Sequence, residues 1–207
     1  DGRVISKETE KSYKLWALFQ FLLTTRGKAI PMDTITETLW EEQELDNPHN
    51  VLKALVFRLR KILDQKKDEK NQLIISSPQA YGFNVQANYW LDVEEFEQLC
   101  KKGSQMAKEN PEEAISILEE ALLLYKGDYL TEHQYTSWVL LARNNYRRLY
   151  LEATIELLQL LKESSQWGKI REVCSSAFHI EPLDETINLF FMESLRQENR
   201  AFEAKTH

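Results

Sequence analysis

Strand-forming sequence is confined to one short stretch of this chain. Leu73-Ile74-Ile75 and Tyr81-Gly82-Phe83-Asn84-Val85 are β-rich, and Ser76-Ser77-Pro78-Gln79-Ala80 between them reads as a turn. Two such runs around a turn predict a hairpin. Elsewhere the apolar residues recur at three- and four-residue spacing, the period of helices buried along one side. Any sheet must therefore be small, and the fold class is mainly α.

The helices before the hairpin have legible ends. From Lys11 to Thr25, Leu15, Trp16, Leu18, Phe19, Leu22 and Leu23 form an amphipathic stripe that Gly27 and Pro31 bring to a close. Asp33 is placed to cap a short second helix, Thr34 to Trp40, with Ile35, Leu39 and Trp40 on one face. After the polar break at 41–50, Asn47 is a fit N-cap with Pro48 at the first helical position. The third helix then runs to Leu63. Leu52, Leu55, Val56, Leu59, Ile62 and Leu63 make its buried stripe, and Lys53, Arg58, Arg60 and Lys61 lie on its other faces. A polar turn at 64–72 leads into the hairpin. The opening Asp1-Gly2 is a hairpin-type dipeptide with no strand before it, so the expectation is that N-terminal strands precede the residues given.

From Asp92 onward the pattern is helical without strands. One helix is expected from Asp92 through Lys108, with Phe96, Leu99, Cys100 and Met106 inward. A second starts at Asn110-Pro111-Glu112-Glu113 and ends at Gly127. A long apolar-periodic stretch spans 134–163 and includes Trp138, Leu141, Tyr146 and Tyr150. Helices at 166–179 and 183–197 flank Glu181-Pro182, and a last piece begins near Ala201. Paired helices in series are a helical-repeat pattern. Ala114 and Ala121, seven apart, and Ala177 and Pro182, five apart, follow the spacing of tetratricopeptide repeats. Ala121 and Ala177 are 56 residues apart, against a period of about 34, so the array is interrupted. Tetratricopeptide-like is the fitting term.

Charge divides the chain at the same place. The 207 residues carry 26 Lys and Arg against 33 Asp and Glu, a net −7 that by itself argues against a nucleic-acid partner. Residues 1–90 hold 13 basic and 12 acidic groups, net +1, whereas 91–207 hold 13 and 21, net −8. Within the first half, 47–70 has seven basic groups against three acidic ones. The asymmetry points to two units with different partners, a domain at 1–90 and another at 91–207. No apolar run is long enough for a membrane span and no signal peptide is visible, so a cytoplasmic location is expected.

The segment Asn47 to Leu63, with its Arg58-Leu59-Arg60 run, resembles the recognition helix of OmpR/PhoB-type winged helices. Ile74-Ile75 through Tyr81-Gly82-Phe83 is similar to that family's wing. Glu120 to Leu130, Trp138, and His179-Ile180-Glu181-Pro182-Leu183-Asp184-Glu185 resemble the bacterial transcriptional activator domain (BTAD), which follows such winged helices in SARP-type regulators. The resemblance implies a winged helix-turn-helix with a small hairpin wing at 1–90, then an all-α tetratricopeptide-like domain at 91–207. It implies a DNA-binding transcriptional regulator, most simply an activator, whose third helix enters the major groove of promoter DNA. It places Asn50, Val51 and Ala54 toward the groove and Arg58 and Arg60 at DNA-contact positions. Ser77 stands where the wing often carries an Arg. Charge adds Lys53 and Lys61. The helical domain is expected to serve dimerisation, an effector, or contact with RNA polymerase or another protein.

Leu55 and Phe57 fall where related recognition helices carry polar or basic groups, and Pro78 and Ala80 replace wing glycines. With Ser77, these positions motivate the alternative of a protein-interaction adaptor that kept the fold and lost DNA reading. A buried Phe57 would remove that argument. The modest basic excess leads us to expect weak or multimeric DNA binding.

Other chemistry finds no support. His49, His133, His179 and His207 share no metal-ligand spacing, the six glycines form no phosphate loop, and no cofactor is expected. Glu112, Glu113, Glu119 and Glu120 read as a solvated face, and Cys100 and Cys174 as buried packing residues, so the chain is not expected to be an enzyme. Trp138, Tyr146, Tyr150 and Trp167 are expected in the core or lining a peptide groove.

Overall fold

The computed structural model describes residues 12–41, 43–63, 72–133 and 136–197. The chain divides into two compact units, Asp1–Tyr89 and Trp90–His207.

In the first unit, α1 (Tyr13–Thr24), α2 (Met32–Leu39) and α3 (Pro48–Leu63) pack against one another beside a three-stranded antiparallel sheet. Its strands are β1 (Ile30–Pro31), β2 (Ile74–Ser77) and β3 (Ala80–Phe83), in the order β1-β3-β2. The predicted hairpin is thus β2 and β3, with Ser77 opposite Ala80 across the two-residue turn Pro78-Gln79. The sequence reading missed β1. It pairs Ile30 with Tyr81 and Pro31 with Ala80, and two residues are too few to show a period. Leu15, Leu18, Leu22, Ile35, Leu52, Leu59 and Ile74 are wholly buried at the centre of this unit.

Local chemistry explains the helix ends. Asn47 caps α3, its side-chain oxygen accepting from the Asn50 N–H at 3.1 Å. Asp33 does not cap α2, which starts one residue earlier than Asp33. Instead its carboxylate meets His49 Nε2 at 2.6 Å and links the first turns of α2 and α3. The Met32 N–H is satisfied by the Gln79 carbonyl at 2.8 Å, so the hairpin turn itself closes the start of α2. Gln79 adopts φ +59 to do so. Lys14 donates to the Leu39 carbonyl at the end of α2, and its ammonium lies 5.4 Å over the Trp40 ring.

Among the described residues the second unit has five helices, each packed on the next: α4 (Asp92–Met106), α5 (Pro111–Leu124), α6 (Ser137–Glu163), α7 (Trp167–Ala177) and α8 (Glu185–Gln197). Asn110 caps α5 reciprocally, accepting from the Glu113 N–H at 3.4 Å and donating to its carboxylate at 3.0 Å. α4 and α5 stop at Met106 and Leu124, short of the expected Lys108 and Gly127. The core runs through Phe96, Leu118, Leu157, Leu158, Leu161, Ile170 and Ile187. Ala114, Ala121 and Ala177 are wholly buried, as repeat-type small residues are. Tyr146 and Tyr150 join the core, Trp138 and Trp167 are half-buried, and Leu141 is 78% exposed. Leu141 lies on the side of α6 away from the stripe of Val139, Tyr146, Tyr150 and Leu157. The expected N-terminal strands, the turn at 64–71 and the piece near Ala201 lie outside the described residues.

Two arginines one turn apart on α6 organise the connections of this unit. Arg143 donates to the carbonyls of Tyr129 and Leu130 at 2.9 and 2.8 Å. Arg147 donates to the Ile180 carbonyl at 2.9 Å and lies 3.3 Å from the Asp128 carboxylate and 3.6 Å from that of Glu181. Asp128 in turn accepts from the Tyr125 hydroxyl at 3.3 Å, while the Tyr125 ring stacks on Tyr150 at 4.4 Å. Burial and the neighbouring Asp128 charge push the Tyr125 hydroxyl up to about 12.

Three measurements follow from this packing. A Cβ on Gly82 would sit 2.7 Å from the Lys28 carbonyl oxygen, whereas one on Gly168 meets nothing within 4 Å. Gly82→Ala should cost about 1–3 kcal/mol and lower Tm by several degrees, while Gly168→Ala should hold or raise it. Arg147→Ala should lower the urea midpoint clearly, whereas Arg148→Ala, which loses exposed contacts with Glu152 and Asn145, should change stability by less than about 1 kcal/mol. Burial pushes the Cys100 and Cys174 thiols up from 9.0 to about 12. Folding therefore holds both protonated. That contribution is complete below pH 9.0 and fades as the pH rises towards 12. Thiol labelling in the native state at pH 8 should be slow and should accelerate only with unfolding by urea.

Candidate nucleic-acid interface

The interface is built from the two sides of α3. Leu52, Leu55, Val56 and Leu59 are buried against the rest of the first unit. Each such side chain contributes roughly 1.5–3 kcal/mol when fully buried, so the rotation of α3 about its axis is set firmly. The opposite side carries Asn50, Val51, Lys53, Ala54, Phe57, Arg58 and Lys61, all exposed. At about 100° per residue, Asn50, Ala54, Phe57 and Lys61 fall within an arc of about 60° at the middle of that side. Lys53 borders it on one flank, and Val51 and Arg58 on the other. Charge is concentrated toward the C-terminal turns, with Arg58 and Lys61, and the N-terminal turns present the Asn50 amide.

Six of the eight residues singled out from sequence therefore share this face: Asn50, Val51, Lys53, Ala54, Arg58 and Lys61. Arg60 and Ser77 are placed differently. The Arg60 guanidinium turns toward the sheet, donating from Nε to the Ile74 carbonyl at 3.0 Å and from Nη2 to Ser76 Oγ at 3.3 Å. It thereby fastens β2 to α3, and the same hydrogen bonds set the position of the wing relative to the helix. Ser77 is exposed at the end of β2, beside the turn that Gln79 ties to Met32.

Leu55 and Phe57, two of the residues that favoured an adaptor, part company. Leu55 is buried and belongs to the core side of α3, but Phe57 is 70% exposed near the centre of the outward face. The apolar element on this face is therefore real, and it comes from Phe57 and Val51. Sequence reading had noted Phe57 only as a departure from the usual polar residue. Helical phase relative to Leu52 and Leu59 was the signal that set it outside.

A concavity of the second unit, of about 720 Å³, is lined by Ala107, Pro111, Ile155 and Leu160 together with Lys108, Glu152, Glu156 and Glu163. Glu156 there accepts a hydrogen bond from Ser104. Arg143 and Arg147 were not singled out from sequence. They tie together 125–133 and 180–181, two segments that had been recognised only as separate motifs. Among the described residues, no group of three or more His, Cys, Asp or Glu is gathered as a metal site, and no helix is long and apolar enough to cross a membrane.

Comparison with known proteins agrees with this architecture. Residues 6–83 match the family described as transcriptional regulatory protein, C terminal, and residues 91–206 match the bacterial transcriptional activator domain. Both are families of transcriptional regulators and not of enzymes. The chain is 25% identical over 120 residues to the transcriptional regulator RedD of Streptomyces coelicolor, a match covering 58% of this chain and 34% of RedD. Its fold is similar to that of Mycobacterium tuberculosis EmbR, solved in complex with a low-affinity phosphopeptide. That likeness has a TM-score of 0.79 at 17% identity and covers 93% of this chain and 51% of the other. The chain thus spans about a third of the length of RedD and about half that of EmbR. It belongs to the bacterial transcriptional activator domain family, carrying that domain after an OmpR/PhoB-like winged helix in the arrangement of the SARP-type regulators.

Proposed function

We propose that this chain regulates transcription by docking α3 in the major groove of promoter DNA, with the first unit as the DNA-binding domain. The observation that carries the proposal is the division of α3. One side is anchored by buried leucines, and the other exposes Asn50, Lys53, Arg58 and Lys61 on a single continuous face. A helix presenting an amide and cations in this way fits a groove about 12 Å wide, with cations on phosphates and the remaining side chains at base edges. Arg60 acts as a positioning residue for the wing, and Ser77 as a contact beside the turn. The net charge of −8 on residues 91–207 repels DNA, so the second unit serves protein partners: RNA polymerase, or a second copy of the chain in a homodimer on repeated sites. This location of the work on DNA makes the protein a cytoplasmic one.

Fluorescence anisotropy with duplex DNA over a range of salt concentrations tests the reading. The wild-type affinity should fall steeply as salt rises. Arg58→Ala with Lys61→Ala should weaken binding to all sequences and reduce the logarithmic salt slope by about 2. Arg60→Ala should instead lower Tm, because the Ile74 carbonyl and Ser76 lose their partner. Undetectable binding at low salt, or affinity indifferent to Arg58 and Lys61, would overturn the proposal.

A further inference from the structure

We infer that Phe57 is a specificity-determining residue that reads thymine, by packing its ring against thymine 5-methyl groups in the major groove. The inference rests on the DNA-binding reading above and adds the base chemistry that this helix selects. Three observations lead to it. Phe57 is 70% exposed, on a helix whose other large apolar side chains are almost all turned inward. It lies near the centre of the outward face, not at its margin, with Asn50 one way along the helix and Lys61 the other. Its flank neighbours on that face, Ala54 and the 38% exposed Val51, add small apolar surfaces and no hydrogen-bond donors.

The chemistry of the groove then selects the base. Every base pair offers acceptors or donors at its major-groove edge, but only thymine offers a methyl group. A face whose centre holds Phe57 and Ala54, with Val51 on its flank, satisfies neither the acceptors of guanine nor the amino group of cytosine. It would desolvate them without replacing their hydrogen bonds, which disfavours G·C pairs beneath it. Against thymine methyls the same surface removes apolar area from water, a gain that no other base offers. Asn50, with an amide suited to adenine, sits on the N-terminal side, so the face as a whole favours A·T-rich steps. Phe57 thus supplies sequence selectivity where the cations supply attachment.

The test uses the full chain and a random-sequence duplex pool. The duplex enriched by the wild type is compared with a copy in which deoxyuridine replaces thymidine, which removes the methyl and keeps the pairing. Affinities are measured by anisotropy for the wild type, Phe57→Ala, Phe57→Leu and Arg58→Ala. The wild type should bind the deoxyuridine copy roughly fourfold more weakly for each contacted methyl. Phe57→Ala should lose a similar factor on the thymidine duplex and should no longer distinguish the two duplexes, and Phe57→Leu should keep part of the distinction. Arg58→Ala should weaken both duplexes equally, and the exposed position of Phe57 leads to an unchanged Tm for its variants. If the wild type binds with a salt-dependent affinity but Phe57→Ala matches it, or keeps the full thymidine preference, the inference is overturned and the DNA-binding reading stands. If the pool is not enriched and no duplex is bound at low salt, the DNA-binding reading itself falls, and Phe57 is left as a protein-docking residue.

Discussion

The burial of one side of α3 is the constraint on which the first unit depends. Leu52 and Leu59 are wholly buried, and Leu55 and Val56 nearly so, on a helix that packs against the other two. A helix held by four such side chains has no freedom to roll, because a turn about its axis would bring Lys53 or Arg58 into the core unpaired. The outward face is therefore an obligatory consequence of the inward one. The wing depends on the same helix, since Arg60 at the margin of the core side fastens β2 through Ile74 and Ser76. The turn of the hairpin then closes the start of α2 through the Gln79 carbonyl. Helix, sheet and turn are thus coupled through backbone hydrogen-bonding groups that each would otherwise leave unsatisfied.

The second unit uses arginine to the same end. Its helices end in connections whose carbonyls must find donors, and Arg143 and Arg147 supply them from consecutive turns of α6. A guanidinium is suited to this role because its fan of donors serves a carbonyl and a carboxylate at once. Asp128, shared by Arg147 and Tyr125, keeps the connection after α5 close to α6. An acidic exterior and a cationic interior joint coexist in the unit, and its net charge says little about what holds it together.

Much of the architecture was legible because it rests on local rules. The Asn47-Pro48 and Asn110-Pro111 starts, the helical stripes and the β2-β3 hairpin each depend on neighbours within a few residues. Other features were not legible because they are made across the chain. Two-residue β1 exists only because β3 is there to pair with it. Asp33 has the composition of a cap, but the distant Gln79 carbonyl satisfies the first turn of α2 and frees Asp33 to meet His49. Leu141 has the right residue type for a core position and the wrong phase.

The outward face of α3 shows the same division. Periodicity alone determined that Asn50, Val51, Lys53, Ala54, Arg58 and Lys61 lie away from Leu52 and Leu59, because side chains on a helix keep a fixed angular order. The order of the motifs, and not periodicity, carried the resemblance to the family to which the chain belongs. Only the tertiary structure decided that Arg60 turns to the sheet. Arg60 lies at the border of the face, and a border residue goes wherever a distant partner is offered. Arg60 found one in β2, whereas Phe57 remains open to whatever the helix docks against.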